Sequence, residues 1–452
     1  MTTSNLPLPR DIGNGLFVRR STAADADALA TFYGHIFKMR DPERPNPYVA
    51  DWARDLACGA HPTFGEDDYF LVEDRSTGEI VCALNLISQT WTYAGIPFGV
   101  GRVELVGTKP ERRNQGLVRL LFDELHGVSA GRSEMIQAIS GIPYFYRQFG
   151  YEMTVNLGGA RMMQKSAVPA LKPDQTEPYR IRAATEADLP FIAATYERGC
   201  KRSLLACPRD ARLWRYELSG RTGLNFNQRV ICVIESAAGQ PVGYLMHSPV
   251  QQGPTLWAQQ WEMVEGQSWA AVAPSVLRYL KATGEDYQAR GKKSINTKDD
   301  FAVIGFGFGV EHPAYQVMDG RLTRTDPPYA WYIRVPDLPG FLRHIAPVLE
   351  QRLAGSVLAG HSGELKLSFY RHGVRLGFQH GRLTAVEAWK PTPDEEGNAA
   401  FPGLTFLQLL FGYRDLGELR YAFADCWVEN DEAQALLSAL FPKQASDIWP
   451  VA

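Results

Sequence analysis

Two short stretches of the chain hold residue types that could do chemistry. In "TKPERRNQGLVRLLFDEL" (108–125), two arginines, an asparagine and a glutamine precede one glycine, and a leucine-rich run follows. An ordinary helix start carries Ser, Thr, Asp or Asn, with acidic residues in the first turn. This one offers donors, which suit an anion. The free amides of residues about 113–118, helped by Arg112 and Arg113, would face a group with several oxygens such as a pyrophosphate, and Gly116 would let the backbone come close to it. The competing reading is a pair of solvated surface arginines, because RxxG is short and common. The second stretch, "GIPYFYRQFGYE" (141–152), holds three tyrosines. A phenol with an unperturbed pKa near ~10 can serve as a general acid beside an apolar site. Aromatic residues at such turns usually pack, and Tyr144 and Tyr151 are expected to do so.

The elements that position these residues can be read from the pattern. Strands are expected near 68–74, 79–92 and 98–108, a helix near 47–58, and a further strand at "EMIQAIS" (134–140). The strand "GVGRVELVG" runs straight into the donor-rich turn, and Leu117, Leu120, Leu121 and Leu125 give the following helix an inward face. Strand alternation puts Glu104 on the same face as Val106 and Thr108. A carboxylate there could hold or deprotonate an ammonium group, or it could pair with Arg102 or Arg119.

The start of the chain is echoed later. "LFVRRSTAADADALATFYGHIF" (16–37) and "YRIRAATEADLPFIAATYERGC" (179–200) share a strand, an arginine, and a threonine placed as N-cap before an acidic turn. Aligning Thr22 with Thr185 brings Leu29 onto Ile192 and Tyr33 onto Tyr196, which suggests two copies of one domain. Proline-marked linkers at "SAVPALKPDQTEP" (166–178) and "RTDPPYAWYIRVPDLPGFL" (324–342) divide the chain, so the expected domains are 1–165, 178–325 and 330–452. Strands alternating with helices give an α/β or mixed α+β class.

With 452 residues, 45% apolar and 21% charged, the chain is long enough for about three folded domains. A net charge of −3 gives no basic field for nucleic acid. The six cysteines include no CxxC pair and the nine histidines no HxxxH pair, so buried thiols and no metal are expected. No apolar leader and no run of ~18 apolar residues is present, which points to a cytoplasmic protein without a membrane span. The P-loop pattern is absent, and "GFGFGVEHP" (305–313) has the wrong glycine spacing with no obvious helix after it.

Strand, "RRNQG", amphipathic helix, strand and "FYRQFGYE" together resemble the GNAT superfamily of acyl-CoA-dependent N-acetyltransferases. "RRNQGLVR" is similar to the enhanced-intracellular-survival branch, in which two acetyltransferase-like domains precede a sterol-carrier-like domain. The resemblance implies backbone contacts from Val106 and Thr108 to the pantetheine arm of acetyl-CoA. Arg112, Arg113, Gln115, Gly116, Leu117 and Val118 would hold its pyrophosphate, with Val118 standing where the family has a small residue. Tyr146 falls on the catalytic tyrosine that protonates the departing thiolate. Ala452 falls where the branch uses a terminal carboxylate as base, although "IWPVA" lacks the aromatic end residue of aminoglycoside-acetylating members. The second copy, with "SWAAVAPSVLRYLKA" (268–282) and no RxxG turn, is expected to be inactive. Direct attack by an amine of a small molecule or peptide lysine, without metal, is the implied reaction, in a trimer or hexamer. The rival readings are a GNAT using another acyl-CoA and a non-catalytic ligand- or lipid-binding protein.

Overall fold

A computed structural model describes residues 8–39, 44–295 and 297–452. The described residues form three sheets. The first unit opens with β1 (Arg10–Gly13) and β2 (Leu16–Arg20), then α1 (Ala26–Ile36), α2 (Pro47–Ala57), β3 (Tyr69–Asp74), β4 (Glu79–Tyr93) and β5 (Ile96–Thr108). It continues with α3 (Leu117–Gly131), β6 (Ile136–Ile139) and β7 (Glu152–Leu157). The second unit holds β8 (Ala160–Gln164), β9 (Tyr179–Ala183), α4 (Leu189–Cys200), β10 (Leu205–Ala206), α5 (Ala211–Arg215), β11 (Val230–Ser236) and β12 (Pro241–His247). Then come β13 (Thr255–Met263), α6 (Trp269–Ala289), β14 (Val303–Phe306), α7 (Pro313–Met318), β15 (Arg324–Asp326) and β16 (Tyr329–Arg334).

The sheets cross the boundaries expected from the linkers. The first sheet runs β1-β2-β3-β4-β5-β6-β16-β7, so β16, which follows β15 at the far end of the second unit, lies between β6 and β7. The second runs β15-β8-β14-β13-β12-β11-β9, which takes β8 from the segment assigned to the first domain. A proline-rich linker marks a change of local structure, not a change of partner, so both exchanges were invisible locally. The last unit, α8 (Leu338–His344) through α12 (Asp431–Leu440), folds around a third sheet of short and long strands. Its core joins that of the first unit: Trp91, Phe98 and Trp331 lie in one cluster with Phe341, Phe411 and Leu437.

The threonine-led segments fold alike. Thr22 and Thr185 each form a capping box with the aspartate three residues on, Asp25 and Asp188. Arg19 grips Asp25 at 2.7 and 2.9 Å and reaches Glu73 at 2.9 Å. Arg182 grips Asp188 at 2.8 Å and reaches Glu235 at 2.6 Å. These charge-assisted bonds hold the Asp25 and Asp188 carboxyls below the usual range, against the burial that raises them in part. Among the described residues no helix is long and apolar enough to cross a membrane.

Candidate active site

The site is organised around a gap between two parallel strands. β5 and β6 pair only from Val100–Arg102 to Ile136–Ala138. Beyond Arg102, β5 continues to Thr108 against β4 alone, so its other edge carries main-chain groups with no sheet partner. A bulge in β5 accompanies the divergence, Leu105 and Val106 together opposing Leu84 of the facing strand, with Leu105 at φ 52°, in the left-handed region. Such a backbone costs a residue with a Cβ about 1 kcal/mol or more, and it is tolerated here because Leu105 packs with Leu29 and Phe32.

The bulge corrects one expectation. Val106 packs on the α3 side, near Leu117 and Leu121, and the Thr108 hydroxyl lies 3.2 Å from the Cys82 thiol on that side. Leu105 faces α1 instead, and Glu104 pairs with Arg102 at 2.6 and 2.9 Å. The face shared by Glu104, Val106 and Thr108 therefore does not exist: the extra residue resets the alternation. Of the roles weighed for Glu104, the ion pair with Arg102 is present.

The donor-rich turn closes one end of the gap. Pro110–Arg112 form a 3₁₀ turn, Asn114 sits at φ 61° and Gly116 at φ 75°, and α3 starts without a side-chain cap or an acidic residue. Gly116 is required by its backbone angle, since a Cβ there would meet no atom within 4 Å. The amides of residues 114–119 have no backbone acceptor among the described residues. Arg112 is ion-paired with Asp74, whereas Arg113 is exposed and pairs with none of the described residues. Gln115 bends back to the Glu111 carbonyl at 3.4 Å. Leu117, Leu121, Phe122 and Leu125 anchor α3 on the sheet while Val118 is half-buried, leaving the amide-lined end free to take an anion.

Tyr146 stands on the next turn, after β6. Its ring is buried among Phe122, Phe145, Tyr151 and Tyr332, yet its hydroxyl makes no hydrogen bond with a described residue. Gly141 makes the room: a Cβ there would stand 3.2 Å from that hydroxyl. Burial, and then the charge of Glu104, push the phenol well above its ordinary pKa and keep it protonated. Tyr151 packs as expected, but Tyr144 does not: it is 65% exposed at φ 60°, and its amide donates to the Tyr332 hydroxyl at 2.6 Å. The strand β16 thus holds the turn that holds Tyr146.

Sequence reasoning missed the opposite wall, because it is assembled from distant segments. The carbonyls of Trp449, Pro450 and Val451 accept from Arg209 at 2.7 Å, Arg102 at 3.3 Å and Gln89 at 2.8 Å. Arg221 donates to the Ala452 oxygen at 2.9 and 3.1 Å, and Ala452 is buried with Leu29, Tyr33 and Trp52. Around this tail the Tyr33 hydroxyl and the Trp52 indole are buried without hydrogen-bond partners, and the Tyr216 hydroxyl beside Arg221, His61 beside the Val451 backbone and the Asn85 carboxamide beside Tyr69 are buried without well-formed ones. Asn85 is the cross-strand partner of Glu104, and His61 stacks edge-on against Tyr216 at 4.8 Å. Burial and the nearby Arg221 and Arg102 lower the His61 pKa to about 3, and its Nδ1 accepts from Thr63, so Nε2 is a donor. Orphaned groups on one wall call for a polar ligand or ordered water. A separate cleft of about 1260 Å³ lies between β4 and α4, lined by Gln89, Tyr196, Cys200, Arg209 and Val451 but not by Tyr146.

Comparison with known proteins fits this geometry. Residues 18–154, within the first unit, match the family model for an acetyltransferase (GNAT) domain. No curated protein matches the chain. Solved structures are similar over almost the whole length. A probable N-acyltransferase of unknown function from Enterococcus faecalis V583 has a TM-score of 0.67 at 13% identity, over 97% of this chain and 100% of its own. A GCN5-related N-acetyltransferase from Anabaena variabilis has a TM-score of 0.63 at 12% identity, over 96% and 99%. Eis1 from Mycobacterium abscessus has a TM-score of 0.56 at 14% identity, over 95% and 98%. At these identities the likeness is one of fold.

Proposed function

We propose that the protein is an acetyl-CoA-dependent N-acetyltransferase of the enhanced-intracellular-survival type, acting by direct attack of an amine on the thioester. The observation that supports it most is the juxtaposition of an uncapped, left-handed helix start with an open strand edge and a buried, unengaged phenol. The amides of 114–119, with Arg113, Gln115, Gly116, Leu117 and Val118, would bind the pyrophosphate, with Arg112 held back by Asp74. The free edge at Val106 and Thr108 would take the pantetheine amides, as strand addition does. Tyr146 would give its proton to the departing sulfur. The amine would approach from the wall of orphaned polar atoms, where Glu104 and Ala452 are the groups nearest to a base role. The second unit, a degenerate relative, and a sterol-carrier-like third unit would complete the branch's plan, in a trimer or hexamer.

The test is thiol release from acetyl-CoA with a panel of polyamines, aminoglycosides, arylamines and lysine peptides. Release that depends on one class of amine supports the reading and identifies the acceptor. Absence of both release and acetyl-CoA binding would sink it. Light scattering reports the oligomer.

A further inference from the structure

The second unit repeats the gap of the first. β13 and β14 are parallel and pair only from Thr255–Ala258 to Val303–Phe306, after which they diverge. The glycine-rich "GFGFGVEHP", set aside in the sequence, forms one side of this gap and, against expectation, leads into the short helix α7. The C-terminal tail crosses the opening at Ala445–Trp449 and leaves a cavity of about 230 Å³. A coenzyme has no anchor here. α6 starts on Ser268, whose hydroxyl accepts from the Ala271 amide at 3.2 Å, and the left-handed Gly266 lies two residues ahead of this cap instead of at the helix start.

The groups facing the cavity are unbalanced. Glu262 is met by the Arg202 guanidinium, one contact at 3.0 Å and one closer. His312 accepts the Ala314 amide through Nδ1 at 3.2 Å, so Nε2 carries its proton and faces Glu262 at 3.7 Å. Burial holds that imidazole neutral despite Glu262. Asp447, contributed by the tail, has only its amide engaged, with the Ser203 hydroxyl at 3.2 Å, and its carboxylate accepts from no described residue. The Gln259 carbonyl oxygen is buried without a donor. Two acceptors, one of them a carboxylate that no donor meets, thus share a small space walled by Tyr244, Trp261, Phe308 and Trp449. What is missing is a positive charge that donates hydrogen bonds and tolerates aromatic faces.

We propose that this cavity binds a small organic ammonium ion, its N–H groups donating to Asp447 and Gln259. The inference stands whether or not the first unit transfers acetyl groups.

Calorimetric titration of the full chain with butylamine tests it, with tetramethylammonium and potassium chloride as cations that cannot donate. Nα-acetyl-lysine methylamide, as tight as butylamine or weaker, assigns the ammonium to a lysine side chain or a free amine, and either supports the proposal. Binding of butylamine at least about 10-fold tighter than of both non-donating cations is expected, and at least about 10-fold weaker for Asp447→Asn, in line with losing a buried charge partner. Gln259→Leu, expected to weaken binding several-fold, serves if Asp447→Asn does not fold. No heat up to about 50 mM, beyond the millimolar Kd range, would overturn the proposal. So would equal binding of tetramethylammonium, or unchanged binding by the folded variants, which would move the amine to another site.

Discussion

Replacing Tyr146 with phenylalanine separates chemistry from packing more cleanly than any other change at the site. The ring is buried against Phe122, Phe145, Tyr151 and Tyr332, and phenylalanine retains that surface. The hydroxyl bonds to no described residue, so its removal forfeits none of the ~0.5–1.5 kcal/mol of an internal hydrogen bond. Thermal stability should therefore be unchanged within about 0.5 kcal/mol. A general acid contributes about 10²–10⁴ in rate, or roughly 3–5 kcal/mol of transition-state stabilisation. Thiol release at saturating acetyl-CoA should fall by at least about 10²-fold, with little change in KM for the coenzyme. The pH profile adds a second check. Burial and Glu104 raise the phenol pKa, so the protonated acid persists above the ordinary range near ~10. The wild-type rate should show no decline from Tyr146 below that pH. A folded Tyr146→Phe protein within about 3-fold of wild type would refute the acid role, since general acids contribute far more. Loss of activity together with a clear drop in Tm would assign the residue to packing.

Three further outcomes follow from the same geometry. Gly116→Ala meets no neighbour, so its cost comes from φ 75° alone, about 1–2 kcal/mol of stability, with a raised KM for acetyl-CoA as the turn shifts. Arg113→Ala should raise that KM without moving Tm, whereas Arg112→Ala, which breaks the pair with Asp74, should lower Tm as well. Burial and the like charge of Glu262, partly offset by Arg202, push the Asp447 carboxyl up to about 7 from 3.8. The folded state then holds its proton more tightly than the unfolded one, so this contribution is present below pH 3.8 and is lost as pH rises through about 7. Wild-type stability should fall between pH 4 and 7 relative to Asp447→Asn, as followed by urea unfolding at each pH, and a flat difference would remove the strained carboxylate from the picture.

What could be read in the sequence was local. The turn at 112–118, the capping boxes at Thr22 and Thr185, and the leucine stripe of α3 are each written within a few residues of where they act. Leu105 shows the limit: nothing about a leucine announces a left-handed bulge, yet that one residue decides which face Glu104 takes. Tyr144 and Tyr146 are likewise two residues apart and chemically identical, and a backbone angle sends one outward and the other into the core. The wall formed by Tyr33, Trp52, His61, Asn85 and Tyr216 has no motif because its members come from two units and meet only around the tail.

The same non-local assembly makes a strong prediction about dissection. Residues 1–165 contain every proposed coenzyme-binding residue and Tyr146, though not Tyr216 or Ala452 of the opposite wall, and they include the whole matched domain at 18–154. They lack β16, which fills the space between β6 and β7 through pairs such as Tyr332↔Ile139 and Trp331↔Val155. Without it, both strands keep an unpaired edge, the Tyr144 amide loses the Tyr332 hydroxyl, and Arg102 loses the Trp331 ring that its guanidinium covers at 5.3 Å. Buried Ile139 and Val155 would also face water. The isolated segment should aggregate or bind acetyl-CoA without turning over, and adding a peptide spanning 329–334 should not rescue it, because β16 is held at both ends by other units. Turnover by residues 1–165 at a rate near that of the full chain would mean that the turn carrying Tyr146 needs no support from β16, and the dependence argued from Tyr332 would fail.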